Sequence, residues 1–237
     1  MKYQLLVFDW DGTLMDSAAR IVSSLTAAFA DVGAKAPAQE RCRDIIGLGL
    51  EEAMQRLWPE SNDEQRARLI GRYRHHYLDA DTTPTPLFPG AADVIAALRE
   101  AGYLLAVATG KSRRGLDSAL EQSELGRWFH ATRCGDETFS KPHPQMLLEL
   151  LDELGVAASD CVMIGDTEYD VQMAHNAGVD AVAVCYGVHA PERLLALQPR
   201  ACLPAIEALP DWLGQQSSNQ STPSEANPPG TLPLRQP

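Results

Sequence analysis

Four short runs of nearly continuous apolar residues punctuate the chain: "QLLVFD" (4–9), "YLLAVAT" (103–109), "CVMIGD" (161–166) and "AVAVCYG" (181–187). They lack the alternation of a half-exposed strand, which predicts parallel strands covered on both faces. "WFHATRC" (128–134) is a weaker fifth candidate. Helical patterns lie between them. "AADVIAALREAG" (91–102) ends on Gly102, and "PQMLLELLDELG" (144–155) starts with Pro144 and ends on Gly155, in keeping with Pro at helix starts and Gly at helix ends. Strands alternating with helices predict an α/β fold, a doubly wound, Rossmann-like parallel sheet with right-handed crossovers.

One interval breaks the alternation. Residues 17–84 contain no convincing strand. Ile21, Val22, Leu25, Phe29 and Val32 share a helical face that Gly33 stops, a second helix runs from Pro37 to Gly47, and Leu69, Ile70, Tyr73 and Tyr77 form another stripe. Ser61 and Glu64 have capping-box spacing. The interval reads as a helical insertion that returns to the sheet through the Pro-rich "DTTPTPLFPG" (81–90). The expected organisation is a core of 1–16 and 85–214, a helical unit of 17–84, and a tail of 215–237. That tail is rich in Ser, Pro and Asn and poor in apolar residues, so it is expected to be disordered.

Charge narrows the partners. Acids outnumber bases 32 to 20 over 237 residues, for a net charge of −12. That field repels phosphate, which argues against general binding to nucleic acid or to an anionic membrane surface. An anionic substrate would need a local cation. No apolar run approaches the roughly 20 residues of a membrane span, and no signal peptide is evident. Cys42, Cys134, Cys161, Cys185 and Cys202 show no metal-type spacing and read as reduced thiols filling apolar space. A cytoplasmic protein is the resulting expectation.

The polar residues that carry chemistry follow the strands, where open α/β sheets bind ligands. Asp9 and Asp11 follow the first run, Thr109, Gly110 and Lys111 the second, and Asp166 and Asp170 the third; Lys141 stands in "SKPHP". Each alone also suits a turn former, a helix cap or a solvated lysine. Together they pose an electrostatic problem. Two like charges about 4 Å apart repel by about 4 kcal/mol at an effective dielectric near 20. Four acids converging at adjacent strand ends against Lys141 alone would have to take up protons or hold a cation, and oxygen-only ligands favour a hard ion such as Mg²⁺. In an extended segment Asp9 and Asp11 face one side while Trp10 points away. Gly12 permits a tight bend, and Thr13 suits the start of the next helix.

These residues resemble the haloacid dehalogenase superfamily, in its phosphatase branch. Its four motifs stand in order as "DWDGT" (9–13), "VATGKS" (107–112), "SKPHP" (140–144) and "GDTEYD" (165–170), and the likeness runs to about residue 213. The stretch 165–189 is most similar to phosphoglycolate phosphatase-like members, and the insertion after the first motif resembles the superfamily's mobile cap. The resemblance implies Asp9 as nucleophile, Asp11 as acid and base, Thr109 and the Gly110 N–H as phosphoryl ligands, and Lys141 as the neutralising cation. It implies Mg²⁺ held by Asp9, the Asp11 backbone carbonyl and Asp166, with Asp170 assisting directly or through water. "IIGLGL" (45–50) matches the cap loop that covers the active site, where Gly47 and Gly49 would allow close approach; an ordinary turn between helices is the other reading. Lys111, Arg113 and Arg114 either face the substrate or form an exposed basic first turn.

The expected activity is Mg²⁺-dependent hydrolysis of a small phosphorylated metabolite, a phosphoglycolate-like monoester. A phosphosugar mutase or a pyrophosphatase of the same family remains open. So do a catalytically silent relative and, more distantly, a phospho-acceptor signalling domain, which would place its acceptor on a middle strand and carry no cap. Oligomeric state is open.

Overall fold

The computed structural model describes residues 1–218. Six strands form one all-parallel sheet: β1 (Leu5–Phe8), β2 (Leu104–Thr109), β3 (Ala131–Cys134), β4 (Cys161–Gly165), β5 (Asp180–Val184) and β6 (Ala201–Leu203), in the spatial order β3-β2-β1-β4-β5-β6. β1 pairs Phe8 with Val107 on one side and Ile164 on the other, so the loops after β1, β2 and β4 leave the sheet side by side. The helices that pack on the sheet are α5 (Ala91–Glu100), α6 (Arg113–Ser123), α7 (Gln145–Leu154), α8 (Glu168–Asn176), α9 (Pro191–Ala196) and α10 (Leu209–Ser218).

Period-2 geometry divides the buried strand residues between two layers. Leu6, Phe8, Val107 and Ile164 face α5, α6 and α10 through Ile95, Leu116 and Leu213. Leu5, Val7, Ala106 and Met163 face α7, α8 and α9 through Leu147, Val171 and Leu194. Trp10 enters the first layer with no solvent exposure, as its position between the two aspartates predicts. All four central runs are strands, and the weaker fifth is β3. The edge strand β6 was not expected; three residues carry too little pattern.

Residues 18–80 are helices joined by turns and loops: α1 (Ala18–Asp31), α2 (Gln39–Asp44), α3 (Leu50–Leu57), α4 (Asp63–His75) and a π-helical turn, His76–Ala80. They gather an apolar cluster of their own around Leu25, Phe29, Met54 and Leu69, joined from α8 by Tyr169. The capping box on α4 is Asn62–Gln65, one residue past the expected Ser61–Glu64 pair; Ser61 instead donates to the Trp58 carbonyl at 2.6 Å.

Two further expectations are corrected. Cys185 and Cys202 are joined as a disulfide, because β6 lies beside β5 and sets their Cα atoms 6.0 Å apart. Cys42, Cys134 and Cys161 remain buried thiols. Residues 215–218, expected in the disordered tail, continue α10, while 219–237 lie outside the described residues. Among the described residues no helix is long and apolar enough to cross a membrane.

Candidate active site

The adjacent ends of β1 and β4 deliver Asp9 and Asp166, and the first turn of α8 delivers Asp170. Oxygens of these three carboxylates lie within 4.8 Å of one another. Lys141, on the segment between β3 and α7, reaches the same point with no solvent exposure. Its Nζ stands 2.8 Å from an Asp9 oxygen and 2.7 Å from an Asp170 oxygen.

The three acids are not equivalent. Asp166 accepts from the Thr13 hydroxyl and from the Val188 N–H, each at 2.8 Å. The backbone turns against it at Gly12, where φ is +86° and a Cβ would strike the carboxylate. Asp170 accepts from Lys141 and, on its other oxygen, from the Thr167 N–H and hydroxyl, closing a capping box on α8. Asp9 is fully buried, yet neither of its oxygens accepts a hydrogen bond of good geometry; the Lys141 ammonium is close but poorly aligned.

The protonation equilibria reflect this crowding. Burial, with Asp170 and Asp166 adding repulsion, raises the Asp9 carboxyl well above its usual range despite Lys141. Burial and then Asp170 push Asp166 up to about 7, against the Val188 and Thr13 hydrogen bonds. Burial works to discharge Lys141, but Asp170 and Asp9 overcome it and hold the ammonium above its ordinary value.

Asp11 lies beside this cluster with a different set of partners. Both its oxygens accept from Lys111 Nζ, at 2.8 and 3.0 Å, and Ser17 donates a short hydrogen bond to one of them. Its carboxylate is not among the converging oxygens of Asp9, Asp166 and Asp170, so three acids meet there and not four. Lys111 also donates to the Tyr77 hydroxyl at 2.8 Å. It is buried, which corrects the alternative that placed it on an exposed basic turn. Arg113 and Arg114 do fit that alternative, pairing on the surface with Glu137 and Asp79. Thr109 is buried, and its hydroxyl accepts from the Lys111 N–H at 3.2 Å.

The 45–50 loop lies over these strand ends. A Cβ on Gly110 would sit 2.5 Å from the Gly47 carbonyl oxygen, and Gly47 itself packs on Thr167. The Gly49 N–H donates to the Ser140 hydroxyl at 2.9 Å. Beneath the loop is a cavity of about 60 Å³ bordered by Asp11, Gly110 and Lys111. It opens beside a groove of about 800 Å³ that shares Leu50, Arg74, Gly110 and Ser112 with it.

The structure thus gathers Asp9, Lys141, Asp166 and Asp170 in one cluster and Asp11 with Lys111 in an adjoining one, with Thr109, Gly110 and Gly47 at their edge. Sequence reasoning missed Ser17, Tyr77 and the Val188 N–H as partners. It also gave Thr13 to a helix start, whereas its hydroxyl orients Asp166. Tyr77 alone left a signal, as the last member of the stripe that begins at Leu69.

The chain has recognisable relatives. A Dickeya dadantii protein named "Probable phosphatase IndB" is 34% identical over 200 residues, covering 83% of this chain and 87% of that one. A phosphoglycolate phosphatase of Aliivibrio fischeri is 33% identical over 205 residues, covering 83% and 90%. In fold, a hydrolase from Pseudomonas syringae superposes with a TM-score of 0.82 at 22% identity, over 90% of this chain and 98% of that one. Residues 6–184 match the family model for haloacid dehalogenase-like hydrolases, and the chain belongs to that family.

Proposed function

We propose that this hydrolase is a Mg²⁺-dependent phosphatase that cleaves a small phosphomonoester by way of an aspartyl-phosphate on Asp9. One observation carries the reading: the Asp9 carboxylate is wholly buried, accepts no well-aligned hydrogen bond, and stands 2.8 Å from a buried ammonium. A carboxylate so placed is poorly solvated and aimed at a shared point, as a nucleophile must be.

An Asp9 oxygen attacks phosphorus as the ester P–O bond breaks, and Asp11 gives its proton to the departing alcohol. Asp11 then takes a proton from the water that attacks the aspartyl-phosphate, releasing inorganic phosphate and restoring Asp9. Ser17 and Lys111 fix the Asp11 rotamer for both transfers. The Thr109 hydroxyl and the Gly110 N–H orient the phosphoryl oxygens, and Lys141 balances charge on nucleophile and phosphoryl group. The donor set suits Mg²⁺: its oxygens are all hard, and neither Asp9 oxygen accepts a well-aligned hydrogen bond. Asp9, Asp166 and the Asp11 backbone carbonyl would hold the ion, with Asp170 assisting, and bound there it supplies charge neutralisation for the phosphoryl oxygens. The 17–84 unit acts as the cap, with Gly47 in its covering loop.

Release of inorganic phosphate in step with substrate loss, silenced by EDTA and restored by Mg²⁺, tests the reading; isomerisation of a sugar phosphate without release would favour a mutase. Stability gives a second readout. Unfolded carboxyls titrate near ~4. Raised folded-state values, with Asp166 at about 7, contribute stability that is full below the unfolded value and is lost as pH rises through about 7. The metal-free protein is therefore expected to lose stability from this cluster as pH rises from about 4 to about 7, and Mg²⁺ to raise Tm more at pH 8 than at pH 6. Calorimetry at both values checks this, and an equal gain at both would count against it.

Gly110→Ala should cut kcat/KM by about ten- to a hundredfold, because a methyl there displaces the loop carbonyls of Gly47 and Leu48. Gly71→Ala, where the added carbon meets open space, is the control. Equal kinetics for the two variants would show that loop closure is not needed.

A further inference from the structure

Resting on the phosphatase reading above, we infer that the alcohol this enzyme releases has an uncharged, apolar body next to its ester oxygen, and that a carboxylate-bearing ester such as phosphoglycolate is a poor substrate. The cavity of about 60 Å³ adjoins Asp11, Gly110 and Lys111, so it receives the part of the ester beyond the phosphate. Its deeper wall is built by Ile21 and Leu25 of α1, Ile46 of the covering loop, Met54 of α3, and the tilted ring pair Tyr73–Tyr77. Met54 has no solvent exposure and Leu25 has 1%.

The cations decide the matter. Lys111 is the buried cation bordering this cavity, and it is already engaged by both Asp11 oxygens and the Tyr77 hydroxyl. A substrate carboxylate would have to draw Lys111 away from Asp11, stripping the acid–base group of its counter-charge. Otherwise it would meet apolar carbon and only the neutral hydroxyls of Tyr73, Tyr77 and Ser112, with no cation to balance it. Either course carries the cost of desolvating an ion without full compensation. Arg74 also borders the cavity, but it is exposed and borders the outer groove as well, which places it at the mouth. An alkyl group entering the same space meets none of these costs, and in apolar pockets a single methylene is worth about tenfold or more in specificity.

A matched pair of esters tests this. Isobutyl phosphate and phosphoglycolate share the CH₂ on the ester oxygen; the next carbon bears two methyls in one and two carboxylate oxygens in the other. The expected result is a kcat/KM for isobutyl phosphate at least about tenfold above that for phosphoglycolate. Ile21→Lys, which brings an ammonium to the cavity wall, should narrow or reverse the preference in a variant shown to be folded by circular dichroism. Phosphoglycolate turned over as well as or better than isobutyl phosphate by the wild-type enzyme, with p-nitrophenyl phosphate also hydrolysed, overturns this inference and leaves the phosphatase reading standing. Failure to release phosphate from any of the three esters in the presence of Mg²⁺ overturns both.

Discussion

Asp9→Asn is expected to lower phosphate release by at least about 10⁴-fold while leaving the protein folded and, without Mg²⁺, no less stable than the wild type. The two halves of this result have separate causes. The amide keeps the shape of the side chain but cannot form the acyl phosphate, so the covalent route is lost. The stability follows from charge. Asp9 is a fully buried acid whose ionised form is opposed first by burial and then, against the help of Lys141, by Asp170 and Asp166. Replacing it with a neutral group removes that repulsion, and Lys141 keeps its 2.7 Å contact with Asp170. A residue kept for packing alone would not combine lost activity with retained stability; one that is costly to the fold but needed by the reaction would. Turnover within tenfold of wild type would remove Asp9 from the nucleophile's place. Lost activity with a strongly lowered Tm would make it a structural residue.

The fold was legible where buried strands leave long apolar runs. β1, β2, β4 and β5 each stand out because both faces are covered, and their ends locate Asp9, Thr109 and Asp166 by the rule that ligands gather beyond the carboxyl ends of parallel strands. What the sequence hides is which of two similar polar residues takes a given bond. Thr13 and Ser17 both precede α1, yet neither caps it: Thr13 crosses to Asp166 and Ser17 turns back to Asp11. The capping box on α4 slipped by one position for the same reason, since Ser61 and Asn62 are equally plausible caps by type. Lys111 is near two arginines that pair at the surface, yet it is buried against Asp11 and against Tyr77 of the helical unit. The Cys185–Cys202 pair depends on β6, a strand of three residues whose place beside β5 is a tertiary fact. Local pattern thus locates the site, and long-range contacts assign its bonds.

Lys141→Met should be the most destabilising single change in the site, costing about 3–5 kcal/mol at neutral pH in the absence of Mg²⁺. The side chains are close in length, so packing is largely kept, but the ammonium that touches both Asp9 and Asp170 is gone. Asp170 retains the Thr167 N–H and hydroxyl, whereas Asp9 is left with no partner among the described residues. The loss should shrink as pH falls, because protonating the abandoned carboxyls discharges them, and urea denaturation at pH 5 and pH 7.5 measures the difference. The sharper test is a double-mutant cycle. If the cost is an uncompensated charge on Asp9, adding Asp9→Asn to Lys141→Met should restore most of the lost stability. If the double variant is no more stable than Lys141→Met alone, the ammonium is holding the fold through Asp170, and the Asp9–Lys141 contact does not set the electrostatics of the site.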